Sequence, residues 1–390
     1  MNLNGQRRWF GLDPLGVLLC LAGGVALARL PFVLLKANRI LPGEPRALVD
    51  VLPAGMTFSF YAMMALVAFV ALRTSHPWVR LFVAVVGIAV ATTTVAAAAS
   101  ALTPVGDRVV RVAPGGAFWM VAVGLGLLAT DALARLRPGP FARVACLAAV
   151  LVACGGALAS GRFDDLSIMR EYATNAARFT QETWRHVWLA LGSLAAAVVV
   201  GLPLGIACHR LPRLRAGVLG TLNVVQTVPS IALFGMLMAP LGALAAAWPA
   251  LSGIGVSGIG AAPAAVALFL YSLLPIVANT VVGLAQVSPA TVDAARGMGL
   301  TAGEVLRTVE LPLALPTLLA GIRIVLVQNV GLATIAALIG GGGLGTFVFQ
   351  GIGQTAIDLV LLGALPIVAL AFTAAVVLDA GIELTRRVPA

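Results

Sequence analysis

Long apolar runs alternate with short polar ones along almost the whole chain. A helical run of about 20 apolar residues is enough to cross a hydrocarbon core of about 30 Å. Five such runs lie at 12–35, 54–72, 79–102, 117–134 and 141–159. Five more follow at 187–207, 216–239, 261–285, 313–338 and 357–381. The pattern predicts an all-α, polytopic membrane protein of about ten transmembrane helices. Arg7 and Arg8 precede the first run, which contains Ala26-Leu27-Ala28, as in a secretory leader. Its length favours a retained span instead.

Two polar stretches interrupt this rhythm. Residues 161–186 carry eight of the forty charged side chains. They are expected to form an external linker, partly an amphipathic helix lying on the membrane. That linker would separate a five-span extension at 1–160 from a five-span half at 187–390. The second stretch, residues 288–312, reads SPATVDAARGMGLTAGEVLRTVELP and holds five charges in 25 residues. Ser288 and Pro289 suit an N-cap and a first turn. Thr301 and Glu304 have the spacing of a capping box, so a second short helix starts there. Gly297 and Gly299 supply the bend, and Pro312 is expected to stop the second helix. The product is a compact cytoplasmic helix–turn–helix, too short and polar to span. If Val292, Ala295, Met298, Val305 and Val309 were exposed on it, a partner would have to cover them. A solvated loop is the plainer alternative.

Composition fixes the solvent. Apolar residues make up 60% of the chain and charged residues 10%, where a soluble domain has about 25% charged. This excludes an ordinary cytosolic enzyme, a disordered chain and a secreted disulfide scaffold. The net charge of +10 comes from arginines spread thinly between apolar runs, which argues against a nucleic-acid surface. With ten crossings and both termini cytoplasmic, inside segments carry 14 basic residues and outside segments nine. That excess on inside loops supports the orientation, in an inner (cytoplasmic) membrane.

Candidate chemistry is sparse. Gly340, Gly342 and Gly345 fit GxGxxG, but they follow a span and no βαβ unit exists, so a tight turn or close helix approach is the better reading. Lys36 is the sole lysine and lies in LLKAN, so the chain cannot carry a P-loop. His76, His186 and His209 sit singly at expected membrane boundaries, where anchoring is favoured over metal binding. Cys20, Cys146, Cys154 and Cys208 lie in or beside apolar stretches and read as small lipid- or helix-facing residues. Polar side chains within spans are costly in lipid and usually face the bundle or a wet cavity. Asn223, Gln226 and Thr227, beside Pro229, are therefore candidates for a translocation path, as are Asn279, Arg323, Gln328 and Asn329. The alternative is helix–helix hydrogen bonding, with Arg323 snorkelling to the cytoplasm. No aromatic cage for a cation is evident.

The polar loop resembles a known pattern. Asp293-Ala294-Ala295, Gly299 and Val309-Glu310-Leu311-Pro312 keep the spacing of the EAA loop of ABC-importer permeases, with Asp for Glu and Val for Ile. Gln226-Thr227-Val228-Pro229-Ser230, Leu274-Pro275-Ile276, Ala320-Gly321-Ile322-Arg323 and Gly342-Gly343-Leu344-Gly345 occur in order around it. Together they resemble the osmoprotectant branch, permeases for glycine betaine, choline, carnitine and related amines. The resemblance spans residues 180–388 and is closest to forms with an amino-terminal membrane extension. It implies a five-helix type I permease core in the C-terminal half. Asp293, Ala294, Ala295 and Gly299, with Leu311 and Pro312 closing the motif, would dock on a separate cytoplasmic ATP-binding subunit. ATP and Mg would be held there, with no cofactor and no catalysis in this chain. A periplasmic or lipid-anchored binding protein and a second permease subunit would complete the importer. The main rival is an ion-coupled secondary transporter built as an inverted repeat, although the halves show no sequence symmetry. An intramembrane enzyme lacks its motifs: neither HExxH nor GxSxG occurs.

Overall fold

Hydrocarbon offers a backbone no hydrogen-bond partners, so apolar runs close their own ladders as helices. The computed structural model describes residues 12–387 apart from Ile40, Val105, Arg108 and Ile254. Arg7, Arg8 and Arg108, counted above for orientation, lie outside the described residues. Among the described residues, nine helical stretches are long and apolar enough to cross a membrane. The chain divides into two compact units. One runs to Pro138 and includes Ala149–Thr174, and the other comprises Gly139–Ala148 and everything from Asn175.

The first unit holds α1 (Pro14–Arg29), β1 (Val33–Lys36), β2 (Glu44–Arg46), α2 (Leu48–Val51), α3 (Ala54–Arg73), α4 (Pro77–Leu102), β3 (Arg111–Pro114) and α5 (Gly116–Leu136). The expected first span, 12–35, is cut short. Leu30 precedes Pro31 and is extended, at φ −107° and ψ 147°, because a proline ring disfavours the α conformation in the residue before it. α1 therefore has 16 residues, and the chain continues into a small antiparallel sheet of order β2-β1-β3. The apolar pattern did not announce this sheet. It pairs Val33 with both Arg46 and Pro114, which satisfies backbone groups that no helix could. Phe32, Phe60 and Phe118 lock beneath it in edge-to-face contacts of 5.0 and 5.9 Å.

At the other end of this unit four charges converge. Arg80, fully buried, meets Asp13 at 2.7 Å and Asp131 at 3.4 Å. Arg135 meets the same two carboxylates at 3.0 and 2.9 Å. Asp13 also caps α1, accepting the Gly16 N–H at 3.1 Å. The set joins the starts of α1 and α4 to the end of α5, and its charges cancel.

The second unit begins from α6 (Pro140–Ala159), whose residues 140–148 belong to it, and α7 (Ser167–Arg210), which is bent at Asn175. Residues 176–186, the latter part of the expected linker 161–186, are continuous with the helix that carries the expected span 187–207. No proline or glycine separates the two, so the ladder continues through them. Next come α8 (Pro212–Thr227), α9 (Ser230–Ala247), α10 (Pro249–Gly253), α11 (Ala261–Ala285), α12 (Pro289–Gly297) and α13 (Ala302–Val305). A π-helical turn (Leu306–Glu310) leads into α14 (Leu311–Leu332), and a 3-10 turn (Ile335–Ile339) follows, then α15 (Gly345–Gly353) and α16 (Ile357–Arg387). The expected span 216–239 is two helices: Val228 is extended before Pro229, which stands at the N-cap of α9. The expected span 313–338 stops helically at Leu332. α7 and α14 both lie close on α11. A Cβ at Gly205 would fall 2.5 Å from Thr280 Cβ, and one at Gly321 would fall 2.8 Å from Asn279 Cβ, so small residues set these crossings.

The four-charge set makes a direct prediction. Arg80→Ala leaves two carboxylates short of a buried partner and should cost about 3–5 kcal/mol, read as a lowered melting point of the purified protein in detergent. Burial alone would push the Asp13 carboxyl up, but bonds from Arg80, the Gly16 N–H and Arg135 outweigh it and hold Asp13 at about 2. A carboxyl lowered on folding contributes its full stability above its ordinary value of about 4 and loses it as pH falls toward 2. Acid should therefore lower the melting point of the wild type in that interval, and less so that of Asp13→Asn.

Candidate functional site

The loop between α11 and α14 is built from local signals. Ser288 occupies the N-cap of α12 without a side-chain bond, and Pro289 fills the first turn. α12 ends in a Schellman motif: the Leu300 N–H bonds to the Ala295 carbonyl at 3.3 Å and the Gly299 N–H to that of Arg296 at 2.9 Å. This closure needs a left-handed residue, and Gly299 supplies it at φ 88°. Thr301 then starts α13 with a complete capping box: the Thr301 N–H donates to Glu304 at 2.7 Å, and the Glu304 N–H to Thr301 Oγ1 at 3.4 Å.

Two expectations change here. Pro312 does not stop the second helix: α13, the π turn and α14 form one helical stretch, Ala302–Leu332. The Leu311 N–H reaches back to the Leu306 carbonyl. That wider turn lies directly before Pro312, which falls in the first turn of α14, where a missing N–H is tolerated. The apolar side chains also divide. Ala295 and Val305 are buried within the chain at 2% and 0% exposure, while Met298 is 76% exposed. Asp293, Ala294 and Gly299 are exposed, Pro312 too, and Leu311 is half-buried. The outward face of the loop is thus Asp293, Ala294, Met298 and Gly299, and Ala295 points to the chain's own interior.

Beneath the loop lies a pair that the sequence pattern did not single out. Glu310, the last residue of the π turn, is 3% exposed. Its carboxylate accepts from Arg210, the final residue of α7.

The intramembrane candidates do not converge on one point. Pro275 has no N–H for the Tyr271 carbonyl four residues earlier in α11. Gln226 Nε2 donates to that carbonyl from α8, at 2.8 Å. The Tyr271 hydroxyl in turn donates to the Val228 carbonyl at the α8–α9 break. Asn329 is fully buried and donates to Ser272 Oγ at 3.0 Å and to the Ala190 carbonyl at 3.4 Å. Arg323 pairs with Asp379 of α16, so it is held by a carboxylate in a neighbouring helix. Asn279 bonds to the Pro275 carbonyl at 2.8 Å and Thr227 to that of Val224 at 2.7 Å, each within its own helix. Asn223 and Pro229 are exposed, and Gln328 is half-buried.

At the end of α14 away from the loop, His186 is fully buried and its Nε2 donates to the Val330 carbonyl at 3.0 Å. It is a helix–helix staple rather than a boundary anchor. One turn earlier, Glu182 accepts the Gly343 N–H at 2.6 Å. Gly340 and Gly342 have positive φ and make a tight turn together with Gly343, whereas Gly345 lies where a Cβ would collide with the Thr334 carbonyl oxygen, a close approach.

Comparison with known proteins now decides the family. Residues 197–386 match the binding-protein-dependent transport system inner membrane component, and residues 13–169 match the N-terminal domain of the ABC transporter permease YehY. The osmoprotectant import permease protein OsmW of Salmonella typhimurium is 43% identical over 197 residues, half of this chain and 86% of that protein. The chain belongs to this permease family. The glycine betaine/carnitine/choline permease protein OpuCB of Bacillus subtilis is 35% identical over 214 residues, 55% of this chain and 89% of its own. A solved structure of the MetNI methionine ABC transporter, inward facing, aligns at 22% identity and a TM-score of 0.47, covering 54% of this chain and 96% of that one. The permease is a multi-pass inner-membrane transport subunit, not an enzyme. Among its described residues no group of three or more His, Cys, Asp or Glu could hold a metal ion.

The Gln226–Tyr271 bond can be isolated by a double-mutant cycle. Gln226→Leu strands a carbonyl and should destabilise by about 1–3 kcal/mol. In a Pro275→Ala background, where the helix recovers its own donor, the same change should cost less than half as much. Equal losses in both backgrounds, read from detergent melting, would refute the assignment.

Proposed function

We propose that the permease carries glycine betaine or a related quaternary-amine osmoprotectant into the cell, powered by a separate ATP-binding subunit. One observation carries this reading: the ordered α12–α13 loop presents Asp293, Ala294, Met298 and Gly299 outward, exposed among the described residues. A rigid, partly apolar face at the end of the bundle suits docking on a protein. The likeness to OsmW and OpuCB supports the substrate class.

In this reading the loop faces the cytoplasm, as do both termini, and ATP and Mg sit on the partner. A binding protein, periplasmic or lipid-anchored, delivers the amine. A second permease subunit completes the path. Residues 187–390 form the transport domain with its coupling loop at 288–312, and 1–160 a membrane extension joined to it through 161–186. The exposed polar side chains beside the α8–α9 break, Asn223 and Thr227, are the best placed to meet the amine. Gln226, Arg323 and Asn329 serve helix packing first, and Asn279 and Gln328 stand between.

The test is uptake of radiolabelled glycine betaine by cells lacking their own osmoprotectant systems, supplied with this permease, its ATPase and its binding protein. Uptake should depend on ATP, and unlabelled choline or carnitine should compete. Gly299→Asp forces a side chain into a left-handed position, a strain of about 1–2 kcal/mol, and adds charge to the docking face. It should abolish uptake while the protein remains in the membrane. Uptake that persists without the ATPase and follows an ion gradient would sink the reading.

A further inference from the structure

α7 is fastened at one end to α14 and at the other to the π turn that leads into it. At the loop end, Arg210 pairs with Glu310. At the other end, His186 donates to the Val330 carbonyl at 3.0 Å and Asn329 donates to the Ala190 carbonyl at 3.4 Å. Between them Leu194 and Val325 share an apolar cluster with Ile276 of α11. The 20 residues from Glu310 to Val330 cover about 30 Å of helix. Beyond Val330, Glu182 of α7 also grips the glycine turn through Gly343.

The weak point in this assembly is the π turn at Leu306–Glu310. Its wider hydrogen-bond ring breaks the regular ladder between the loop and α14, and such turns concentrate at functional sites. A displacement of α12 and α13 would be absorbed there unless the turn were braced from outside. Glu310 closes the turn, and its side chain is 4% exposed. A buried carboxylate without a partner is strongly unfavourable, so Arg210 fixes it and, with it, the turn. Of the neighbouring basic groups, Arg307 lies on the turn itself and is exposed, so it cannot brace the turn against another helix.

We propose that α7 and α14 move as one body during transport, and that Arg210 and Glu310 are the positioning pair that joins the coupling loop to that body. Loop displacement then reaches the glycine turn at 340–343 instead of dissipating in the π turn. The inference rests on the permease reading above.

The experiment uses the assembled importer, permease with ATPase and binding protein, in liposomes, and reads glycine betaine uptake per ATP hydrolysed. Arg210→Ala should lower that ratio roughly tenfold while ATP hydrolysis continues. Arg210→Lys should retain most of it, and the exchange Arg210→Glu with Glu310→Arg should recover it in part. A wild-type ratio in Arg210→Ala overturns the proposal. If Arg210→Ala fails to accumulate, Arg210→Cys with Glu310→Cys decides, in a chain whose four native cysteines are alanine. Joining the two thiols with a short bifunctional reagent should restore a low ratio. A normal ratio before joining, or a loss on joining that reductant reverses, overturns it. Wild-type importer that shows no ATP-driven uptake would instead refute the permease reading.

Discussion

A backbone amide or carbonyl left without a partner in hydrocarbon costs several kcal/mol. That constraint makes the chain helical wherever it is apolar, and it also governs each place where a helix fails. Prolines create several of the failures, and at four of them the structure shows how the chain compensates. After Pro31 the extended chain is taken up by the three-stranded sheet. The carbonyl released by Pro275 is filled by Gln226, and the one at the Pro229 break by the Tyr271 hydroxyl. Before Pro312 the helix widens into a π turn and continues. The polar side chains within the bundle are placed first by this need, and any pathway must be threaded between them.

Charge obeys the same economy. Only 10% of the residues are charged, and several of them meet in oppositely charged sets. Arg80 and Arg135 with Asp13 and Asp131 form one such set. Arg323 with Asp379, Arg143 with Glu383, and Arg210 with Glu310 form others. α16 carries Asp379 and Glu383 one turn apart, so one face of that helix holds both α14 and the start of α6. A charge that must stay paired ties its helices together through any movement, because separation would strand it in a medium of low dielectric. Under the proposal that α7 and α14 move as one body, this links the packing of the second unit to transport: paired helices travel together, and unpaired contacts are free to slide.

The loop at 288–312 was the most legible part of the chain, since its signals are local. The capping box at Thr301 and Glu304 and the glycine at 299 act over three to five residues, and each appears in the structure as the spacing implied. Less legible was which apolar residues of the loop turn inward. Ala295 and Val305 are covered by the chain itself and Met298 is not, a distinction set by how α12 folds back on the π turn. The span boundaries erred at proline for a related reason. A hydropathy window does not sense a missing N–H, whereas the ladder does.

The sequence by itself determined the solvent, the helical class, the transport family and the caps and turns of a loop built from nearest-neighbour rules. The tertiary structure alone decided the long-range pairs: Gln226 with a carbonyl 45 residues away, Arg210 with Glu310 across 100, His186 with Val330 across 144. Apolar periodicity tells a helix to lie in lipid but not which helix will cross it or at what height. Small residues such as Gly205 and Gly321 set those crossings, and only then does a polar side chain on one helix come level with the group it must satisfy on another.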